Sequence, residues 1–286
     1  MTPEEPIPGD RHDPVRAYET GRTTAYAARG DQRFSYCLYV PEQRPQGRRP
    51  RLVVLVHGTE RGNVRYRDAF AEFGERHGCV ILAPLFPAGI DEPRELHNYK
   101  FIEYRGIRYD QVLLDMVDEV AERYDVDADR FLLHGFSGGG QFTHRFLYLH
   151  PDRLACASIG APGRITRLDD GQPWWLGTQG FGERFGREPD IETMRTVAVQ
   201  MVVGDRDVEG WEINNPGHSN WMDGAEKAGA TRVERLRTLR ENYLENGIGV
   251  RFDLVPGVAH EGQQVLPVVR DFFRMVLLDP RATCGR

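Results

Sequence analysis

The feature that most constrains this chain is a set of short, wholly apolar runs separated by stretches of helical periodicity. Leu-Val-Val-Leu-Val at 52–56 is rich in β-branched residues and has no polar position, the pattern of a strand covered on both faces. Residues 80–83, 131–134, 197–203 and 250–255 look similar. Between them lie amphipathic stretches. Over 109–124, Leu113, Met116, Val117, Val120 and Tyr124 recur at spacings of three and four. Further helices are expected over 69–77, 141–150, 231–246, which ends at Gly247, and 265–278, which stops before Pro280. Residues 33–40 alternate and end at Pro41, as an edge strand does. Buried strands alternating with helices that cover them make βαβ units. The expected class is therefore α/β, with a doubly wound, mostly parallel sheet.

Such a sheet needs a large core, and 286 residues with 40% hydrophobic and 28% charged positions can supply one. With 37 basic against 43 acidic residues the net charge is −6, so no basic excess is available for nucleic acid. No stretch approaches the roughly 18 apolar residues of a membrane span. The start, Met-Thr-Pro-Glu-Glu-Pro, lacks the basic and apolar segments of a secretory signal, so a cytoplasmic location is expected. Cys37, Cys79, Cys156 and Cys284 are scattered with no Cys-x-x-Cys pair, which argues against a structural zinc or disulfide framework. Lysine occurs only at Lys100 and Lys227, leaving few candidates for Schiff-base chemistry. No phosphate-binding loop of the form GxxxxGK[ST] is present. Neither metal nor organic cofactor is expected, and the oligomeric state is not legible.

Residues 1–20 read as a polar lead-in and 21–286 as one α/β domain. Two stretches break its rhythm. Residues 84–106 carry Tyr99, Phe101 and Tyr104, and 161–195 carry Trp174, Trp175 and Phe181. Insertions of this length act as lids or binding loops, or else decorate the surface. A cap or lid is expected at 161–195.

The chemistry concentrates at Phe131-Leu132-Leu133-His134-Gly135-Phe136-Ser137-Gly138-Gly139-Gly140, which passes from a strand through a glycine turn into a helix. Its centre matches G-x-S-x-G. A serine on so sharp a turn takes a strained backbone, and glycines two residues to either side let the neighbouring chain pass close by. The helix that follows aims backbone N–H groups at developing negative charge. A nucleophilic serine needs a base, and the base needs an orienting acid. His260 follows the last apolar run, and Gly204-Asp205-Arg206-Asp207 follows another, both at carboxyl ends of strands. Asp205 and Asp207 both remain candidates at this point. His57 is expected to brace its own loop, His134 to sit in the core, and His218 to lie in a solvated loop.

On these residues the chain resembles the α/β-hydrolase superfamily, and its arrangement is similar to the esterase and polyhydroxybutyrate-depolymerase-like branch. The resemblance runs from about residue 34 to 278. It rests on the Ser137 elbow, the Gly-Asp-Arg-Asp turn, the Pro-Gly-Val-Ala-His260 loop and His57-Gly58, in the order serine, acid, histidine. It implies Ser137 as nucleophile, His260 as base and Asp207 as the acid, with Asp205 capping the turn. It also implies an oxyanion hole from the Thr59 and Gly138 N–H groups. The sequence departs from the lipase pattern H-G-G-G, since Thr59-Glu60 follows Gly58. The implied reaction is hydrolysis of a small-molecule carboxylic ester through an acyl-enzyme, without a cofactor. Trp174, Trp175, Trp211 and Tyr104 are candidates to wall an apolar substrate pocket, the alternative being that they pack loops onto the core. A peptidase or amidase of the same fold, and a non-catalytic binding protein, are the competing readings.

Overall fold

The computed structural model describes residues 18–43, 47–210, 212–213, 215–217 and 220–279. Its centre is an eight-stranded sheet. The chain begins with β1 (Gly21–Ala27), β2 (Ser35–Val40), β3 (Arg51–Val56), α1 (Asn63–His77) and β4 (Cys79–Leu85). A small hairpin, β5 (Glu103–Tyr104) and β6 (Ile107–Arg108), leads into α2 (Tyr109–Tyr124). Next come β7 (Asp127–Phe136), α3 (Gly138–Leu149), β8 (Leu154–Gly160), α4 (Phe181–Phe185) and α5 (Ile191–Met194). The chain closes with β9 (Ala198–Gly204), α6 (Arg232–Glu245), β10 (Val250–Val255) and α7 (Gly262–Leu278).

The spatial order is β1-β2-β4-β3-β7-β8-β9-β10. β2 is antiparallel to both neighbours and the remaining pairs are parallel, so the doubly wound, mostly parallel sheet expected is the one observed. Parallel neighbours require crossovers, and helices laid on both faces bury Leu52, Val53, Val54, Leu55 and Val56 completely. From β3 the chain steps to β4 on one side and later to β7 on the other. That reversal opens a crevice beyond the carboxyl ends of β3 and β7, where open α/β sheets hold their ligands.

Two strands of the eight-stranded sheet escape the sequence reading. The edge is not 33–40 but β1, which exposes Arg22, Thr24 and Ala25 and buries Thr23, so it has no apolar period to read. β2 is covered by β1 and is buried from Tyr36 onward. The other missed strand is β8, Leu-Ala-Cys-Ala-Ser-Ile-Gly, whose small residues lack β-branched bulk although it lies inside the sheet. Three helices start earlier than expected: α1 at Asn63, α3 directly at Gly138, and α7 at Gly262. The stretch 84–106 contains a 3₁₀ turn, Asn98–Phe101, and the first strand of the β5–β6 hairpin.

Candidate active site

Ser137 is the residue between β7 and α3, with φ +58° and ψ −113°. Few L-residues adopt that backbone, and the local packing holds it there. A Cβ on Gly135 would fall 2.3 Å from the Gly139 carbonyl oxygen, and one on Gly139 would fall 2.2 Å from that of Val56. Neither position admits a side chain without moving a strand or the helix. The glycine spacing of the elbow is thus a packing requirement.

Two loops meet over the serine. The turn after β9 is stitched to the loop after β10: Asp205 N–H donates to the Val255 carbonyl at 3.0 Å and Arg206 N–H to that of Val258 at 2.9 Å. The Asp205 carboxylate accepts from the Gly257 N–H at 2.7 Å. This leaves Asp207, 1% exposed, to accept the His260 Nδ1–H at 2.6 Å. With that tautomer, His260 Nε2 accepts the Ser137 hydroxyl proton at 2.9 Å. The structure therefore brings Ser137, His260 and Asp207 into one hydrogen-bonded series. Of the two candidate acids, Asp207 is the one at the histidine.

The series has supports that spacing did not reveal. The Phe136 ring packs on the His260 ring at 5.0 Å between centroids. Arg232, the first residue of α6 and buried, donates to the Asp207 carboxylate at 3.3 Å and to that of Glu212 at 2.6 Å. Its sequence signal was its place after Thr231, an N-cap residue that closes a capping box with Glu234.

On the other side of the serine, His57 donates from Nδ1 to the Gly58 carbonyl at 2.8 Å and accepts the Phe86 N–H at Nε2 at 3.0 Å. Burial pushes its pKa down to about 3, so the ring is neutral and braces the loops after β3 and β4. Thr59 lines the cavity beside Ser137, and Gly138 opens α3, where an N–H has no intrahelical acceptor. Lys100 was set aside in the sequence as one of two lysines. It lies buried with Nζ 2.7 Å from Thr59 Oγ1.

The cavity at Ser137 holds about 380 Å³. Tyr66 and Phe136 supply its aromatic wall, and Glu60, Arg65, Glu212 and Glu261 make much of the remainder charged. The aromatic candidates lie elsewhere. Trp174 packs edge-on against Phe181 and Phe185, and Trp175 packs on Phe101 while its indole N–H donates to the Asn220 carbonyl. Tyr104 sits in the hairpin beneath the Arg105 guanidinium. None of the three lines the cavity, nor does any residue of 161–195. That segment packs onto α3 instead, through Thr166, which accepts from Arg145 and donates to the Trp175 carbonyl. Trp211 and His218 lie outside the described residues. Among the described residues, no group of three or more His, Cys, Asp or Glu side chains is placed to hold a metal ion.

The strand order, the strained serine between strand and helix, and the loops converging on it define the α/β-hydrolase fold. Solved structures of that fold superpose over most of the chain. A poly(3-hydroxybutyrate) depolymerase from Bordetella parapertussis aligns at a TM-score of 0.71 and 22% identity, covering 89% of this chain and 90% of that one. A poly(aspartic acid) hydrolase from Sphingomonas sp. KT-1 aligns at 0.67 and 20%, covering 83% and 92%. An S-formylglutathione hydrolase from Agrobacterium tumefaciens aligns at 0.57 and 14%, covering 92% and 94%. These likenesses establish the fold. No protein-family model and no curated protein sequence matches the chain.

Proposed function

We propose that this protein is a serine hydrolase that cleaves a small-molecule carboxylic ester through an acyl-enzyme. The observation that carries the reading is the hydrogen-bonded series Ser137–His260–Asp207 on a strained elbow at the topological switch point. In the proposed reaction Ser137 Oγ attacks the ester carbonyl as His260 Nε2 takes its proton. Asp207 holds the Nδ1–H tautomer and stabilises the imidazolium. The Gly138 and Thr59 N–H groups receive the oxyanion, His260 returns the proton to the leaving alkoxide, and water repeats the cycle on the acyl-enzyme. These steps call on no cofactor.

A cavity of about 380 Å³ suits a small to medium ester. Its charged wall and two aromatic rings favour a substrate that is apolar on one side only, since Trp174 and Trp175 do not reach it. A reducing compartment belongs to the same proposal, supported by Cys37, Cys79 and Cys156 being buried, unpaired thiols.

The test is a panel of p-nitrophenyl esters of increasing acyl length, with fluorophosphonate labelling, on wild type and Ser137→Ala. Wild type is expected to label and turn over, and Ser137→Ala to lose labelling and about 10⁵-fold or more in kcat. Equal turnover of a matched amide would move the assignment to an amidase. Absence of labelling in the intact protein, with tight ligand binding, would move it to a binding protein.

A further inference from the structure

Lys100 lies in the 3₁₀ turn Asn98–Phe101 and is 2% exposed. Its Nζ stands 2.7 Å from Thr59 Oγ1 and 2.7 Å from His97 Nδ1, and no carboxylate of the described residues comes within ion-pairing distance. The turn touches both segments that flank the serine. A Cβ on Gly138 would fall 2.4 Å from the Tyr99 hydroxyl and 2.8 Å from Lys100 Cε, and the same Tyr99 hydroxyl donates to the His57 carbonyl at 2.9 Å. Arg61 meanwhile holds the Thr59 carbonyl at 2.6 Å. The Thr59 backbone is therefore pinned, and the half-buried residue lines the cavity with Ser137.

We propose that the Thr59 side-chain hydroxyl donates a hydrogen bond to the oxyanion at Ser137, and that Lys100 is the positioning residue that sets the direction of this donation. The inference rests on the serine-hydrolase reading. Its basis is donor arithmetic. A lysine ammonium has three donors and no acceptor, so Thr59 Oγ1 must accept from it, and the Thr59 hydroxyl proton is then directed elsewhere. The cavity is the open direction. A neutral amine has a lone pair and takes that proton back, turning the Thr59 lone pairs toward the site.

The identity of the residue supports the same conclusion. The chain uses lysine at two of its 37 basic positions, and one of them is here, where an arginine could not lose its charge. Burial pushes the Lys100 amine down to about 7, reinforced by the Arg61 and Arg164 guanidiniums and opposed by the Glu212 and Glu95 carboxylates. The His97 ring is its hydrogen-bond partner, and the neutral His57 ring lies across the loop.

The experiment measures kcat, KM and their pH dependence for a p-nitrophenyl ester, with fluorophosphonate labelling of every variant. Thr59→Val is expected to lower kcat about 10- to 100-fold at nearly unchanged KM, and Thr59→Ser to restore most of it. Lys100→Met is expected to match Thr59→Val, and the double variant to fall no further, because the two side chains act as one donor. Wild-type kcat should decline as pH rises through the lysine transition, a decline absent from Thr59→Val. Wild-type kcat in Thr59→Val, or losses that multiply in the double variant, would overturn the proposal. Should Lys100→Met fail to fold, the Thr59 pair and its pH profiles decide alone. Wild type that neither labels nor hydrolyses any ester would remove the hydrolase reading itself. Labelled, active wild type with an indifferent Thr59→Val removes only the role of the hydroxyl.

Discussion

Asp205 and Asp207 are two residues apart on the same turn, yet they do different work. Asp205 ties the loop after β9 to Gly257, while Asp207 takes the Nδ1–H of His260. We expect Asp207→Asn to lower kcat about 10⁴-fold, because the amide stabilises the wrong histidine tautomer. Asp205→Ala should act mainly on stability, costing about 1 kcal/mol for one lost hydrogen bond, read by urea unfolding beside ester kinetics. Comparable kcat losses in both variants would contradict this division. The residues alone left the two carboxylates open and only the resemblance favoured Asp207, since which one points at a histidine 53 residues away depends on how two loops are stitched. Ser137 was legible for the opposite reason: its glycines answer to contacts made within a few residues.

At the level of elements, the runs that read clearly were those with one physical environment along their length. β3 is apolar from Leu52 onward because both faces are covered, and α2 keeps one stripe against the sheet. β8 and β1 were missed because their environments leave no period: one is built of small buried residues, the other is largely exposed. The start of α6 joins element to site, since Thr231 caps the helix and the next residue, Arg232, reaches Asp207. Thr231→Ala should cost about 1 kcal/mol in urea unfolding, the ordinary loss for an N-cap. Gly139→Ala belongs at the β7–α3 junction. With its Cβ 2.2 Å from the Val56 carbonyl, it should cost about 3 kcal/mol or more, or prevent folding, as followed by soluble yield and circular dichroism.

Over the whole molecule, the acidic net charge has no single target, and the pH response comes from the interior. Burial pushes the fully enclosed His57 to about 3 and His134 to about 4, and holds His144 well below its usual value. In the unfolded chain these rings titrate near about 6.5, so below that pH the unfolded state binds protons that the folded state refuses. Stability from the three is complete above that pH and is lost as pH falls toward 4, by roughly 1.4 kcal/mol per pH unit for each ring. Urea midpoints should therefore drop steeply between pH 6.5 and 5, and a flat profile there would contradict neutral burial. The amino-acid sequence by itself determined the sheet-and-helix alternation and the glycine-flanked serine, because periodicity and steric exclusion act over neighbouring residues. Tertiary structure realised the Asp207–His260 pairing that the resemblance implied, and alone decided that Lys100 meets Thr59 and that Trp174 and Trp175 lie away from the cavity at the serine. Those outcomes depend on loops from distant parts of the chain arriving at one crevice, and loop paths follow no period that a sequence displays.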